Sequence, residues 1–121
     1  MSKTALVVDD SATMRQMVAF TLHQAGFDTV EACDGKVAIA ELAKKTFQLV
    51  ITDLNMPVLD GVEFIRALRQ HAAHKFTPVL MLTTETQGEK RQQAKEAGAT
   101  GWLVKPFDPQ KLLEVVAKVV R

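Results

Sequence analysis

The sequence predicts an α/β protein in which one open, doubly wound sheet of five parallel strands is covered by helices on both faces. Five short apolar runs alternate along the chain with five longer segments of helical periodicity. Most of these runs are continuously apolar, which is typical of strands that are buried on both sides. The length of 121 residues accommodates five such β–α units, joined by right-handed crossovers, in a single domain.

The first half of the chain contains two β–α units. Residues 5–8 are continuously apolar and predict the first strand, and an apolar stripe at helical spacing over residues 14–25, closed by Gly26, predicts the first helix. Residues 29–30 form a weaker run between two acidic residues, which indicates a second strand at the edge of the sheet. Residues 36–45 return to the helical pattern and predict the second helix.

The second half of the chain continues the alternation. Residues 49–51 and 79–82 are continuously apolar and predict the third and fourth strands. The third helix is predicted between them, over residues 61–72. Residues 102–104 predict the fifth strand, and the apolar spacing over residues 109–120 predicts the last helix.

The fourth helix, predicted over residues 87–97 and ended by Gly98, differs from the others. No Val, Ile, Leu, Met, Phe or Trp lies between Glu85 and Gly98, so this helix can bury little more than alanines and side-chain stems. Apolar burial stabilises by about 25 cal/mol per Å², and switching motions concentrate in elements of low stability. We therefore expect this helix, together with the preceding loop at residues 84–88, to be the segment that shifts if the protein changes conformation.

Composition and charge exclude several classes of protein. Fifteen basic against fourteen acidic residues leave a net charge of +1, too small for binding nucleic acid mainly through its phosphates. No apolar run is long enough to span a membrane, and the first residues lack the apolar core of a signal peptide. The single cysteine, Cys33, cannot form an internal disulfide, which suits a reducing compartment. We expect a monomeric cytoplasmic protein that binds neither nucleic acid nor a membrane.

Polar residues follow four of the predicted strands. Asp9 and Asp10 come after the first strand, Asp53 after the third, Thr83 at the end of the fourth, and Lys105 after the fifth. Two strand orders are compatible with the pattern, and both bring the carboxyl ends of the strands to one edge, where ligands bind in such sheets. These side chains are therefore expected to meet in one crevice.

Three carboxylates in one crevice repel one another unless a cation neutralises them. No cysteine or histidine lies nearby in the sequence, so the expected ion is one that prefers oxygen ligands, and Mg²⁺ suits a small set completed by water and a phosphate oxygen. Lys105 and Thr83 would then contact phosphoryl oxygens, and Asp53 would be a nucleophile that forms an acyl phosphate. Taken singly, each residue has an ordinary structural explanation, such as helix capping by Asp9, Asp10 or Ser11; taken together, their positions favour the phosphoryl site.

Two other groups of residues have simpler interpretations. His71 and His74 share one helical face, but no third ligand accompanies them, so we interpret them as part of a solvated helix end. Cys33 is interpreted as a small residue at the end of a strand and not as a redox centre.

Several motifs occur in a characteristic order along the whole chain. They are VVDDS at residues 7–11, TDLNMP at 52–57 with DG at 60–61, LT at 82–83 and KPF at 105–107. In these motifs the chain closely resembles the receiver domain of bacterial two-component response regulators, and without an output domain it is most similar to the stand-alone regulators of chemotaxis. The resemblance implies a flavodoxin-like fold with strand order 2-1-3-4-5 and one receiver domain over residues 1–121.

The resemblance also implies roles for the acidic residues. Asp53 would accept a phosphoryl group from a phosphohistidine of a sensor histidine kinase. Asp10, Asp53 and the backbone carbonyl of Asn55 would contact Mg²⁺, with Asp9 acting through a water molecule.

Further implied roles concern the switch itself. Thr83 and Lys105 would sense the phosphoryl group, and the bond between Lys105 and Pro106 would be cis. Asn55 and Glu85 occupy the two positions that tune autodephosphorylation in this family, and this polar pair implies a short-lived phosphoryl group. Trp102 stands where the family usually has Tyr or Phe, a side chain that turns inward on activation. Its larger indole, which needs a partner for its N–H when buried, indicates instead that Trp102 stays partly exposed.

The function that follows is that of a signalling switch and not of an enzyme, apart from the protein's own phosphorylation and dephosphorylation. Phosphorylation of Asp53 would change the surface formed by the fourth helix, fifth strand and fifth helix, and the partner would be the flagellar motor switch or another protein target. One alternative is a phosphate sink or relay carrier without a direct output. Another is an aspartyl-phosphate phosphohydrolase, which the absence of a substrate cap and of an acid at position 55 disfavours.

Overall fold

The computed structural model describes residues 3–54, 56, 58–83 and 88–120. In this part of the chain, five strands alternate with five α-helices, and a short 3₁₀ helix at Ala72–His74 follows the third helix. The elements are β1 (Lys3–Val8), α1 (Ala12–Gln24), β2 (Phe27–Ala32), α2 (Gly35–Leu42), β3 (Leu49–Asp53), α3 (Gly61–Gln70), β4 (Val79–Thr83), α4 (Gly88–Ala97), β5 (Gly101–Val104) and α5 (Pro109–Val119). No helix among these is long and apolar enough to cross a membrane.

The five strands form one parallel sheet with the order β2-β1-β3-β4-β5. The predicted α/β class is therefore confirmed. The residues alone left two strand orders open, and the observed order is the one that the resemblance implies. The register places Val8 opposite Thr52, and Thr83 opposite Val104. The carboxyl ends of β1, β3, β4 and β5 thus lie at the same edge of the sheet.

Both faces of the sheet are buried, as the continuous apolar runs predicted. One core, which includes Leu6, Val50 and Met81, is covered by α2, α3 and α4. The opposite core, which includes Val7 and Ile51, is covered by α1 and α5. Alternate residues of each strand point to opposite faces, and so both alternating sets must be apolar.

Side-chain caps explain where four of the helices begin. The Ser11 hydroxyl accepts from the Met14 amide, and the carboxylates of Asp34, Asp60 and Asp108 accept from the backbone at the starts of α2, α3 and α5. At α3 the Glu63 side chain also accepts from the Asp60 amide, which completes a capping box. Such caps satisfy amides that have no partner within the helix.

Several observed elements differ in length from the predictions, as β2, α2 and α3 illustrate. β2 spans Phe27–Ala32 instead of two residues, because the whole segment pairs with β1 although its exposed positions are polar. α2 ends at Leu42, before the predicted boundary at 45, and α3 ends at Gln70 and gives way to the 3₁₀ helix. Edge pairing and helix ends depend on neighbouring elements, which the local periodicity does not record.

The interpretation of His74 as part of a solvated helix end is wrong. The 3₁₀ helix turns this side chain into the protein, where it is fully buried. Its Nε2 accepts a hydrogen bond of 3.1 Å from the backbone amide of Phe47, so the ring is neutral with its proton on Nδ1. Burial lowers the pKa of His74, and the nearby charges of His71 and Arg69 lower it further.

We expect the buried His74 to make the protein less stable in mild acid. The unfolded chain binds a proton at His74 with an ordinary pKa of about 6.5, whereas the folded protein resists that proton. The free energy of unfolding should therefore fall as the pH drops below about 6.5, by at most about 1.4 kcal/mol per pH unit from this group. Urea unfolding at pH 7.5 and 5.5 measures the difference.

The matched variants are His74→Phe, which removes the buried titrating ring, and His23→Gln, which removes an exposed histidine. The loss of stability between the two pH values should shrink in His74→Phe and stay as in the wild type in His23→Gln. An unchanged pH dependence in His74→Phe would contradict the expectation.

Candidate functional site

Three carboxylates converge at the carboxyl edge of the sheet, as the sequence predicted. Asp9 and Asp10 directly follow β1, and Asp53 is the last residue of the neighbouring strand β3. A carboxylate oxygen from each of the three lies within 4.8 Å of the others. Asp9 and Asp53 are buried, at 0% and 5% exposure, and Asp10 is exposed to solvent. The cluster is therefore open on the side of Asp10.

Lys105 brings a positive charge into this cluster from the end of β5. Its Nζ lies 3.1 Å from Oδ2 of Asp53 and 3.2 Å from Oδ2 of Asp9. The bond between Lys105 and Pro106 is cis, which confirms the prediction. Burial of the ammonium disfavours its charge, but the charges of Asp53 and Asp9 and its contacts with both outweigh this and raise the pKa of Lys105. The lysine is thus held protonated between two carboxylates.

Asp9 is fixed by its backbone and by one carboxylate oxygen. Its amide donates to the Ala32 carbonyl, its carbonyl accepts from Nη1 of Arg15 at 2.7 Å, and its Oδ1 accepts from the Ser11 amide at 2.9 Å. Oδ2 is buried and receives no well-directed hydrogen bond from the described residues. A buried anionic oxygen of this kind, beside two further carboxylates, fits a hard divalent cation such as Mg²⁺.

The capping explanation holds for Ser11 alone. Its hydroxyl accepts from the Met14 amide at 3.2 Å and so begins α1. Asp9 turns back to the Ser11 amide, and Asp10 is not the capping residue of α1. Neither aspartate is therefore the capping residue of α1.

Thr83 lies at the same edge, fully buried at the end of β4. Its carbonyl accepts from the Lys105 amide at 2.7 Å, while the preceding residue, Leu82, lies opposite Asp53 in the sheet. Backbone pairing thus connects the predicted hydroxyl residue to both Asp53 and Lys105. Asn55 and Glu85, the two predicted tuning residues, lie outside the described residues.

Gly61 allows α3 to start directly against the end of β3. Its amide donates to the Leu54 carbonyl at 2.9 Å, and a Cβ atom at this position would lie 2.6 Å from the Asp53 carbonyl oxygen and 2.9 Å from Cα of Leu54. Both atoms belong to the backbone, so only glycine fits without displacing Asp53. The motif at residues 60–61 was recognisable in the sequence, but nothing in the sequence indicated this close approach.

Trp102 is partly exposed in this structure. The side chain lies on β5 with the residue 42% exposed. The guanidinium carbon of Arg91, from α4, lies 4.9 Å from the centre of the indole ring. Neither this stacking nor the contact between Arg15 and Asp9 was anticipated from the sequence.

Comparison with known proteins agrees with this arrangement. The family model of the response regulator receiver domain matches residues 5–117. The chemotaxis protein CheY of Pseudomonas aeruginosa is 40% identical over 115 residues, which cover 94% of this chain and 93% of that protein.

Two solved structures are also similar. The crystal structure of chemotaxis protein CheY4 of Vibrio cholerae superposes with a TM-score of 0.93 and 50% identity, covering 98% of this chain and 99% of that one. The receiver domain of the sensor histidine kinase PA1611 from P. aeruginosa has the same fold, with a TM-score of 0.90 at 22% identity and coverage of 99% and 98%. With the family match spanning nearly the whole chain, this protein is a member of the response regulator receiver domain family, similar to the CheY proteins of chemotaxis.

Proposed function

We propose that this protein is a phosphorylation-activated signalling switch, formed by one receiver domain over residues 1–121 and working as a cytoplasmic monomer. Asp53 would take a phosphoryl group from a phosphohistidine of a sensor histidine kinase. The observation that supports this most strongly is the Lys105 ammonium, which contacts the buried carboxylates of both Asp9 and Asp53. A cation held in this way is suited to neutralise charge on a phosphoryl group bound at Asp53.

In the proposed reaction, an Asp53 carboxylate oxygen attacks the phosphorus atom. The bond from phosphorus to the imidazole nitrogen of the donor breaks, its electron pair stays on that nitrogen, and an acyl phosphate forms on Asp53. Lys105 would pair with one phosphoryl oxygen and the Thr83 hydroxyl would donate to another. Both residues lie next to Asp53 through the pairing of β3, β4 and β5.

Mg²⁺ is the proposed cofactor, and its chemistry would be to neutralise the phosphoryl oxygens during transfer. Asp10 and Asp53 would hold it directly, together with the carbonyl of Asn55, and Asp9 would act through water. The compact set of carboxylates at this edge supports the assignment, as does the PA1611 receiver domain, whose structure is described with a magnesium ion in its active-site cleft.

The proposed output is a change in the surface formed by α4, β5 and α5. Among the described residues of α4, Ala94 alone is buried, so apolar burial contributes little to the position of this helix. Movement of Thr83 toward phosphorylated Asp53 would therefore shift α4, and with it Trp102. The similarity to CheY proteins supports a protein target in chemotaxis, the flagellar motor switch. The pair Asn55 and Glu85 would keep the phosphoryl group short-lived.

The test compares three phosphate sources in the presence of Mg²⁺. We expect phosphate to be incorporated once per chain from a phosphohistidine protein or a small acyl phosphate, and p-nitrophenyl phosphate not to be turned over. Omission of Mg²⁺ should prevent incorporation. Steady hydrolysis of the ester would instead indicate a phosphohydrolase.

A second measurement addresses the output. Amide hydrogen exchange with and without beryllofluoride, a phosphoryl analogue, should change most over residues 84–104, of which 84–87 lie outside the described residues. A change confined to residues 12–25 would mean that the output surface lies elsewhere. No difference in the protein targets captured by the two forms would favour a phosphate sink.

A further inference from the structure

Trp102 lies on the face of the sheet that α4 covers. The next residue, Leu103, belongs to the core beneath α1 and α5, and successive side chains of a strand point to opposite faces. Trp102 therefore shares the α4 face with Met81, its register partner, which packs in the same core as Ala94 of α4. Thr83, two residues after Met81 on β4, is on this face as well.

Within the described part of the chain, Arg91 of α4 lies against the indole and has no hydrogen-bond acceptor. Its guanidinium carbon lies 4.9 Å from the centre of the Trp102 ring, within the range of a cation–π interaction. The Nε atom is buried and has no hydrogen-bond partner among the described residues. The half-buried Arg91 side chain thus gives up part of its hydration to lie over the tryptophan.

Polar contacts of this kind matter for α4 because its apolar contacts are few. Ala94 is its one buried residue in the described part of the helix. One turn away from that alanine, Arg91 contacts Trp102, and the adjacent Lys90 lies 3.3 Å from the Asp60 carboxylate. Both contacts are partly exposed, with side-chain exposures of 40% for Lys90 and 29% for Asp60 and with Trp102 at 42%, so each contributes modestly to the position of α4.

We propose that Arg91 is a positioning residue that holds Trp102 in its outward orientation in the resting protein and thereby opposes activation. The inference rests on the proposed function, because activation means the state that a phosphoryl group on Asp53 favours. If α4 shifts, Arg91 leaves the indole and Trp102 is released; if Trp102 turns away, α4 loses a contact. The stack therefore couples the orientation of Trp102 to the position of α4.

The size of the effect follows from the strength of the stack. A cation–π contact at a partly exposed site shifts an equilibrium by roughly two- to fivefold. A ligand that selects the active state binds more tightly when the resting state loses such a contact. Removal of Arg91 should therefore strengthen beryllofluoride binding by about two- to fivefold, the opposite of what a variant with a damaged site would show.

The experiment titrates beryllofluoride into the Mg²⁺-loaded protein and follows the emission of Trp102, the chain's one tryptophan, together with the ¹⁹F signal of the bound ligand. Arg91→Gln removes the stack, Arg91→Lys keeps a cation without the planar guanidinium, and Lys95→Gln removes a neighbouring charge of the same helix. We expect tighter binding in Arg91→Gln, an intermediate value in Arg91→Lys and the wild-type value in Lys95→Gln. Without ligand, the Trp102 emission of Arg91→Gln should shift toward that of the beryllofluoride-bound wild type.

Equal affinities in Arg91→Gln and Lys95→Gln, or weaker binding in Arg91→Gln, would overturn the role of Arg91 while leaving the proposed function intact. A wild-type protein that shows no bound ¹⁹F signal at all would instead refute the proposed function, and the inference with it.

Discussion

Asp53→Asn is expected to abolish phosphate uptake and to leave the fold intact. The amide has no anionic oxygen to attack phosphorus, and it removes one charged oxygen from the cluster with Asp9 and Asp10. The fold should survive because Lys105 keeps its contact with Asp9 at 3.2 Å, and one of three mutually repelling carboxylates is neutralised. Mass spectrometry after incubation with a small acyl phosphate and Mg²⁺ should show the phosphorylated species in the wild type and none in the variant.

Glu114→Gln is the matched control, because it makes the same change of charge at an exposed residue of α5, outside the acidic cluster. It should be phosphorylated like the wild type, and all three proteins should have the same circular dichroism. One phosphoryl group per chain on Asp53→Asn would show that another residue is the acceptor.

Gly61→Ala is expected to damage both stability and phosphate uptake. The new methyl group would lie 2.6 Å from the Asp53 carbonyl oxygen and 2.9 Å from Cα of Leu54, so the start of α3 or the end of β3 must move. Forcing extra volume into a packed site costs roughly 1–3 kcal/mol of the free energy of unfolding. A displacement of about 1 Å at a reacting group can slow a reaction about 100-fold. We expect a loss of stability in this range and phosphorylation slowed by at least tenfold.

The control for this substitution is Gly88→Ala, at the first residue of α4, where an added Cβ meets no atom of the other described elements within 4 Å. Alanine has a higher helix propensity, so the control should be neutral or more stable by up to about 1 kcal/mol. Urea unfolding and the time course of phosphorylation measure both effects. If Gly61→Ala behaves like Gly88→Ala, the close approach of α3 to Asp53 affects neither the stability nor the rate of phosphorylation.

Much of the fold could be predicted because its signals are local. The run at residues 79–82 and the helical stripe ended by Gly26 each reflect burial of one element against its neighbours, and such burial leaves a period in the sequence. The edge strand β2 was predicted too short, because its stability comes from pairing with β1 along its whole length. The side chains of β2 show only a weak apolar pattern, so the sequence predicted only its central residues.

The candidate site could be predicted in composition but not in detail. Asp9, Asp53 and Lys105 were expected to lie together because each comes at the end of a strand. In the structure, Nζ of Lys105 lies 3.2 Å from the Asp9 carboxylate and 3.1 Å from the Asp53 carboxylate. The roles of Arg15 and Gly61 escaped prediction. Arg15 donates a hydrogen bond to the Asp9 carbonyl, and the absence of a side chain at Gly61 lets α3 start close to Asp53. Both contacts depend on how a helix packs against the ends of the strands.

What the sequence by itself determined is the class of the fold and the identity of the residues at the carboxyl edge of its sheet. The alternation of strands and helices predicts a parallel sheet. Because all strands of such a sheet run in the same direction, every residue that follows a strand lies at the same edge of the sheet. Only the tertiary structure decided which residues contact one another, at this edge and elsewhere in the protein. His74 meets Phe47 across 27 positions, and Arg69 meets Gly98 across 29. Periodicity describes neighbours within a turn or a strand, whereas contacts across such distances in sequence are set by the packing of whole elements against one another.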